Sequence, residues 1–411
     1  MTEPTFGITQ SRPDHEPVPV LGADFSKALL IETSQDAIAD TYPLNEPVRI
    51  STSDPQAVSD LGTGLLADAV HGINAQLQGL AHGADVTVVR VEEGGDAAAT
   101  MANIVSVLNS AGSIPSKVNT TPRLVYAGRT AADTGSDLNP VLAALPAACE
   151  KLLAIAPVDI GGDSAAACVA VREALSSQRL MPIGVGVRVY EEGEAVTRPA
   201  APRVVGLFMR VDNASEGKPF NPVAMRPLYG IAGLARDIDF SLLDGSTEGQ
   251  QMLEGEVSII ARGESGVDGA AGDGGFYFIG TDNAATGELW KQIHQVRGAD
   301  YLTVKLVQIT QQFLGRPVTV DIAEAYANSI LFMLRDHKAA GDILGYNRDV
   351  FTPGKNSPEQ IRLGRIRLDI GIEPAPVFRR AHHEIHRYRP AVEGLVAAIV
   401  NRLNVTAGQT S

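Results

Sequence analysis

Cysteine is nearly missing from this sequence: Cys149 and Cys168 are the only two in 411 residues. Neither a disulfide framework nor a cysteine-ligated zinc site can be built from them. Both are expected to be small buried hydrophobes in a reducing compartment. Basic residues are also short, with 34 Lys and Arg against 48 Asp and Glu, a formal charge of −14. That sign argues against nucleic acid as the main partner, because phosphate binding needs clustered positive charge. It also offers no general attraction to anionic membranes. No run reaches the ~18 apolar residues of a spanning helix, so no membrane insertion is expected. The stretch from Met1 to Val20 lacks an apolar core and is too rich in proline for a signal peptide, which predicts a soluble protein made in the cytosol. With 44% hydrophobic and 20% charged residues, global disorder is not expected either.

What is present divides the chain into five segments, a length that suits two or three domains. Residues 1–24 read as an extended N-terminal arm: Pro4, Pro13, Pro17 and Pro19 forbid a helix, while Thr5 to Thr9 can form one short strand. Residues 25–118 form an expected N-terminal α/β domain, with strands Ala28–Thr33, Pro47–Ser51 and Asp85–Val91. Its helix from Leu65 to Leu80 carries apolar residues at 66, 70, 73 and 77, and Asp96 caps a second helix running to about Leu108. Residues 119–290 alternate strand and helix. The strands are Pro122–Gly128, Ala154–Asp159 and Pro182–Val189; the helices are 138–153, beginning near Asp137, and Ser164–Ser176. This rhythm predicts parallel strands covered by helices.

Residues 291–372 carry a helix from Ile322 to Lys338, ending before Gly341. They also carry Arg365–Ile372, whose strict alternation puts Ile366, Leu368, Ile370 and Ile372 on one face of a strand. Pro374 and Pro376 are expected to end that strand. Residues 373–411 hold a basic extended stretch, Phe378 to Tyr388, and a helix opened by Pro390 with one apolar stripe of Val392, Leu395, Val396, Ile399, Val400 and Leu403. Charge inverts here: residues 361–411 have eight Arg against four acids, a net +4, so the remainder carries −18.

Four constellations invite a chemical reading. The glycine-rich run Arg262–Gly275 lacks the Gly-Lys-Ser/Thr ending and the strand-to-helix placement of a phosphate loop, so a mobile surface loop is the preferred reading. Val158–Asp163 lies between strand and helix, where α/β folds bind ligands. It offers carboxylates without a base, and Asp163 serves equally as a helix cap, so a structural turn is preferred. His382-His383-Glu384-Ile385-His386 has metal-ligand chemistry, but Arg367, Arg379, Arg380, Arg387 and Arg389 would repel a cation; a basic interface strand is preferred. Gly263-Glu264-Ser265-Gly266 only superficially approaches a nucleophile elbow, and nothing pairs a Ser or Cys with a base. No catalytic, cofactor-binding or metal-ligating residue is assigned, and the chain is not expected to be an enzyme.

An α/β body between two extended arms points to assembly. A strand with unpaired backbone groups needs a partner, and the edge of an identical neighbour's sheet supplies one. Such a contact is heterologous, and a rotation that does not close yields a helical tube. The order of several motifs resembles the contractile-tail sheath proteins of myophages and R-type tailocins over nearly the whole chain. These are Lys27-Ala-Leu-Leu-Ile-Glu-Thr, Asn45-Glu-Pro-Val-Arg-Ile, Leu65-Leu-Ala-Asp-Ala-Val-His-Gly, Gly230-Ile-Ala-Gly-Leu-Ala-Arg-Asp, Phe276-Tyr-Phe-Ile-Gly-Thr and Val296-Arg-Gly-Ala-Asp-Tyr. Most specific is the tail, Asn356-Ser357-Pro358, Gly364-Arg-Ile-Arg-Leu-Asp-Ile-Gly-Ile-Glu-Pro-Ala-Pro and His386-Arg-Tyr-Arg-Pro-Ala.

The resemblance implies an α/β (α+β multidomain) fold: N- and C-terminal segments forming a sheath core, a middle domain likened to subtilisin without its catalytic residues, and exchangeable terminal arms. It implies stacked six-subunit discs around an inner tail tube, with baseplate and tail terminator proteins as further partners. The assembly would lie in the contractile tail of a virion and be built in the host bacterial cytoplasm, and no cofactor is implied. Phe6 and Ile8 would belong to a donated strand. Ile366, Leu368, Ile370 and Ile372 would belong to receiving or donated strands, and Arg379, Arg380, Arg387 and Arg389 would face the tube or an interface. One departure is Gly280-Thr281-Asp282, where the family has an arginine-threonine element. A single chain also disfavours a type VI secretion sheath, which is built from two. A static virion or tube protein and an α/β-hydrolase-like enzyme are the alternatives.

Overall fold

The computed structural model describes residues 20–21, 25–77, 83–135, 137–191 and 193–408. Phe6 and Ile8 lie outside the described residues. The described chain divides into one unit ending at Pro376 and a second starting at Val377.

The first unit is built on parallel strands whose sequences are apolar on both faces. Strand β1 (Val20–Leu21) runs beside the start of β4, whereas β2 (Lys27–Thr33) is buried from Ala28 onward and β3 (Pro47–Ser51) forms an edge. A short helix α1 (Pro55–Ser59), capped by Asp54, and the longer α2 (Leu65–Gln76) lead into β4 (Gly83–Val91), all nine residues of which are buried. Burial on both faces requires helices above and below. They are α2 on one side and α3 (Ala97–Asn109), capped by Asp96 through the Ala99 amide as the sequence predicts, on the other. After α4 (Ile114–Val118), strand β5 (Leu124–Ala127) pairs in parallel with β2.

Helix α5 (Pro140–Leu152) starts two residues later than the expected 138. The Asn139 side chain accepts from the Val141 amide, and Pro140 fits the first turn. Strand β6 (Ala156–Asp159), helix α6 (Ala165–Glu173) and strand β7 (Leu180–Ile183) follow, β6 and β7 in parallel. Single parallel bridges, Leu124 to Ile155 and Ile183 to Ser258, carry the hydrogen bonding onward from β5 to β6 and from β7 to β12. The single strand expected over Pro182–Val189 is two: β7 stays in the parallel set, while β8 (Val187–Glu191) and β9 (Glu194–Arg198) make a separate hairpin. The break falls at Gly184, where a Cβ would lie 2.1 Å from Met252 Cε and 2.8 Å from Val257 Cγ1, so a larger residue would have to displace those side chains.

Helix α7 (Ala201–Ala214) lies against α2 so closely that a Cβ on Gly206 would be 2.8 Å from Ile73 Cα. Strands β10 (Arg226–Leu228) and β11 (Gly233–Leu234), helix α8 (Glu248–Glu254), and strands β12 (Ile259–Arg262) and β13 (Phe276–Ile279) complete this part. The glycine-rich run 262–275 is the connection of the antiparallel β12–β13 pair, closed at its base by the Gly263 amide on the Gly275 carbonyl at 2.8 Å. One core runs from Ala28 through Ile293.

A second, smaller core gathers Phe25, Tyr301, Leu302, Ile330, Leu334 and Ile343. It is covered by α9 (Ile293–Gln311), α10 (Val320–Ala340), which Gly341 ends in a left-handed turn as expected, and β14 (Ile343–Tyr346). After α11 (Pro358–Arg362) the chain extends into β15 (Ile372–Pro374), antiparallel to β14. The second unit is an exposed extended stretch through Tyr388 and α12 (Arg389–Gly408).

Candidate assembly strand and the polar interior

The expected strand Arg365–Ile372 is extended, but only Ile372–Pro374 pairs as a strand within the chain. Pro374 lies in that strand instead of ending it, at the edge of a two-stranded sheet where proline is tolerated. Ile366, Leu368, Ile370 and Ile372 are half-buried, as is Asp369, while Arg367 and Gly371 are exposed; Leu368, Ile370 and Ile372 pack on the second core.

Backbone groups of successive residues in an extended chain point to opposite sides. Those of the odd residues are taken up by two asparagines and a loop. The Arg367 amide donates to Asn356 Oδ1 at 2.8 Å, and Asn356 Nδ2 returns a bond to the Arg367 carbonyl at 2.9 Å. Asp369 donates to the Val350 carbonyl at 2.7 Å and accepts from Asn347 Nδ2 at 2.8 Å. Gly371 donates to Asn347 Oδ1 at 2.6 Å and accepts from the Asn347 amide at 3.0 Å. Side-chain amides thus stand in for a neighbouring strand. Among the described residues, nothing hydrogen-bonds the backbone of Ile366, Leu368 or Ile370. Their N–H and C=O groups are thus left without a partner in the described chain. Sequence reasoning found the apolar face and met Asn356 only within a motif, missing the role of Asn347 and Asn356; the signal was an asparagine whose carboxamide, like a peptide, carries both N–H donors and a carbonyl acceptor.

Arg379, Arg380, Arg387 and Arg389 are all exposed; Arg389 donates to Glu393 Oε1 at 2.9 Å across one turn of α12. His382 and His386 both lean on Glu384, at 3.5 and 3.1 Å, and are exposed. The described residues contain no group of three or more His, Cys, Asp or Glu placed to share a metal ion. The stripe of α12 is also exposed, from Val392 to Leu403.

A cavity of about 520 Å³ opens at the carboxyl ends of β2, β5 and β6, among its lining Glu32, Arg129, Asp159, Asp163, Arg198 and Arg236. Most of its charges are engaged with the protein. Arg129 Nε is 3.4 Å from Glu32, Arg236 donates to Glu248 at 2.6 Å, and Arg198 pairs with Glu191. Asp159 accepts from the Ala200 and Ala201 amides at 2.8 and 3.1 Å, capping α7 from 41 residues away. The Val158–Asp163 turn is therefore structural at Asp159, and Ser164, not Asp163, caps α6. Burial pushes the Cys149 thiol up to about 12 and raises Cys168 as well, the opposite of an activated nucleophile.

Burial also pushes the Asp159 carboxyl up to about 6, against the pull of the Ala201 and Ala200 amides and of Arg203. Its folded value exceeds the ordinary 3.8, so its stabilising contribution is complete below about pH 4 and is lost as pH rises through about 6. Asp159→Asn, which keeps an acceptor for the Ala200 amide, is expected to remove roughly 2–3 kcal/mol of pH dependence between about pH 4 and 7. A plot of Tm against pH reads this directly, and an unchanged slope would refute it.

Solved structures share the fold. The chain shares its fold with a protein of the anti-feeding prophage baseplate (TM-score 0.63, 14% identity, 93% of this chain and 98% of that one). It also matches a protein of the extracellular contractile injection system PVC sheath complex in its contracted state (TM-score 0.65, 11% identity, 94% and 99%). A sheath tail protein of Desulfitobacterium hafniense is similar at TM-score 0.51 and 9% identity over 83% of this chain and 92% of that one. This mixed α/β architecture is that of contractile sheaths. In sequence, the chain is 25% identical over 368 residues to the tail sheath protein of Escherichia phage P2, covering 84% of this chain and 86% of the relative. It is 24% identical over 264 residues to a putative prophage major tail sheath protein of Pseudomonas aeruginosa, covering 64% of each. No model of a known protein family matches. The chain is a homologue of contractile tail sheath proteins, and its role is structural.

Proposed function

We propose that the chain polymerises helically, as stacked six-subunit discs around an inner tail tube, and contracts to drive that tube through a cell envelope, without catalysing a reaction. The observation that carries this is the open backbone edge at Ile366, Leu368 and Ile370, backed by an apolar face and placed just before the second unit. A neighbour's N-terminal strand, with Phe6 and Ile8 as its apolar residues, would add there by ordinary strand pairing. The exposed stripe of α12 and the basic residues Arg379, Arg380, Arg387 and Arg389 suit a contact with an acidic tube surface or a sister subunit. Exposed pairs worth ~0–1 kcal/mol each would release easily during contraction. The tail of a virion, assembled in the bacterial cytoplasm and seated on a baseplate and closed by a terminator, is the matching location. Contraction needs no nucleotide: ~400 Å² of extra apolar burial per subunit would release on the order of 10 kcal/mol, less ordering costs.

Leu368→Pro tests the edge. The Leu368 N–H has no partner within the described chain, so proline removes a donor offered to the incoming strand without touching the bonds to Asn347 and Asn356. An unsatisfied acceptor at each contact costs about 1–3 kcal/mol, one to two orders of magnitude in association. The variant is expected to stay in the supernatant on sedimentation while the parent pellets as hollow sleeves in electron micrographs. Unchanged pelleting would contradict the strand assignment.

A further inference from the structure

A pull on an exchanged arm must be borne where that arm joins the body, and both junctions meet the same helix. At the N-terminal junction Phe25 is 1% exposed. Its ring is tilted on Tyr301 with centroids 5.3 Å apart and lies 5.1 Å from the Arg123 guanidinium. Its carbonyl accepts from Arg297 Nη2 at 3.3 Å. Arg297 is fixed in turn by both carboxylate oxygens of Asp212 on α7 and lies over the Phe208 ring at 4.7 Å. At the C-terminal junction the carbonyl of Ala375 is 3.0 Å from His294 Nε2; a carbonyl only accepts, so that nitrogen carries the proton. His294, Arg297 and Tyr301 stand at i, i+3 and i+7 on α9, one face of the helix. Behind that face, Phe220 packs edge-on to Tyr301 at 5.7 Å and fills the space where a Cβ on Gly298 would sit, 2.7 Å from its ring.

We propose that the first turns of α9 are a common anchor for both arms, holding each at its root so that load passes from one arm to the other through His294, Arg297 and Tyr301. The physical need is clear at the N-terminal end. Strand β2 begins at Lys27, two residues after Phe25, and pairs with both β4 and β5. Without a clamp, tension arriving at Phe25 would peil away these ladders one bond at a time from their end. With it, load that passes β1 meets a buried ring, a buried guanidinium–carboxylate pair and a stiff helix before it reaches β2. The same holds for β15, whose bonds to β14 would otherwise open from Pro374. The load-bearing role rests on the arms being exchanged between copies; the anchor is a property of the single chain.

Hydrogen exchange on the full, unassembled chain tests it. Phe25→Ala is expected to speed exchange about tenfold or more at the start of β2 and, through α9, also in the β14–β15 pair at the other root. His294→Phe is expected to act in the reverse direction, loosening β15 first and the start of β2 with it. An effect confined to the substituted end in both variants would overturn the common anchor. If Phe25→Ala does not fold, Phe25→Leu keeps the burial, loses the contacts with Tyr301 and Arg123, and is read in the same way. Failure of the parent chain to form sleeves would count against strand exchange alone, since this measurement needs no polymer.

Discussion

Removing residues 1–14 will leave a folded chain that no longer polymerises, whereas the full chain will form long sleeves. The cores explain why folding survives. The main core draws on residues from Ala28 onward, and the second takes its most N-terminal member from Phe25. The truncation removes no described contact. Assembly is different: if the lost segment supplies the strand that pairs with Ile366, Leu368 and Ile370, every subunit contact loses several ladder bonds and two apolar side chains. At ~0.5–1.5 kcal/mol per bond and about 1.5–3 kcal/mol per buried apolar side chain, association falls by several orders of magnitude. Sedimentation and electron microscopy check the loss of sleeves, and circular dichroism with thermal melting checks the fold. Normal sleeves from the truncated chain would end the arm model.

The second large effect concerns stability. Arg297 and Asp212 are 1% and 0% exposed at their side chains and joined by two hydrogen bonds. Burial pushes the Asp212 carboxyl up to about 6 against the attraction of Arg297, and a charge left unpaired at such a buried position is costly. Arg297→Ala is expected to lower unfolding free energy by about 3–5 kcal/mol, because it leaves a carboxylate buried without its partner. Arg297→Met combined with Asp212→Leu is expected to recover most of that loss, since two apolar side chains of similar size need no desolvated charge. Denaturant melts of the three proteins separate the cases. A double variant as weak as the single one would mean that packing around Phe208 and Phe25, not charge, sets the stability.

The pattern of polar burial agrees with a body made to stay rigid. Arg203 with Asp68, Arg179 with Asp300 and Arg172 with Glu256 join elements far apart in sequence, and each arginine is nearly inaccessible. Asp68 and Asp300 stood within motifs, but nothing marked any of these residues as a buried ion partner, because an arginine destined for the interior looks like any other until its carboxylate is found across the fold. The same applies to Asp159. In sequence it reads as the end of a strand in a ligand-binding position, and only the return of the chain at Ala200 makes it the cap of another helix.

Local order was readable wherever one element states its own preference. Asp96 before an apolar helix, the near-continuous apolar run of β4, Gly341 after α10 and the alternation through Ile366, Leu368, Ile370 and Ile372 each follow from backbone geometry and the spacing of side chains along it. Tertiary structure decided which of the extended pieces find a partner in their own chain. Arg367, Asp369 and Gly371 are satisfied by Asn347, Val350 and Asn356, up to 24 residues away, while the residues between them keep an open edge. Alternation fixes which side chains share a face, but a hydrogen bond forms only where another part of the fold brings its donor or acceptor within reach.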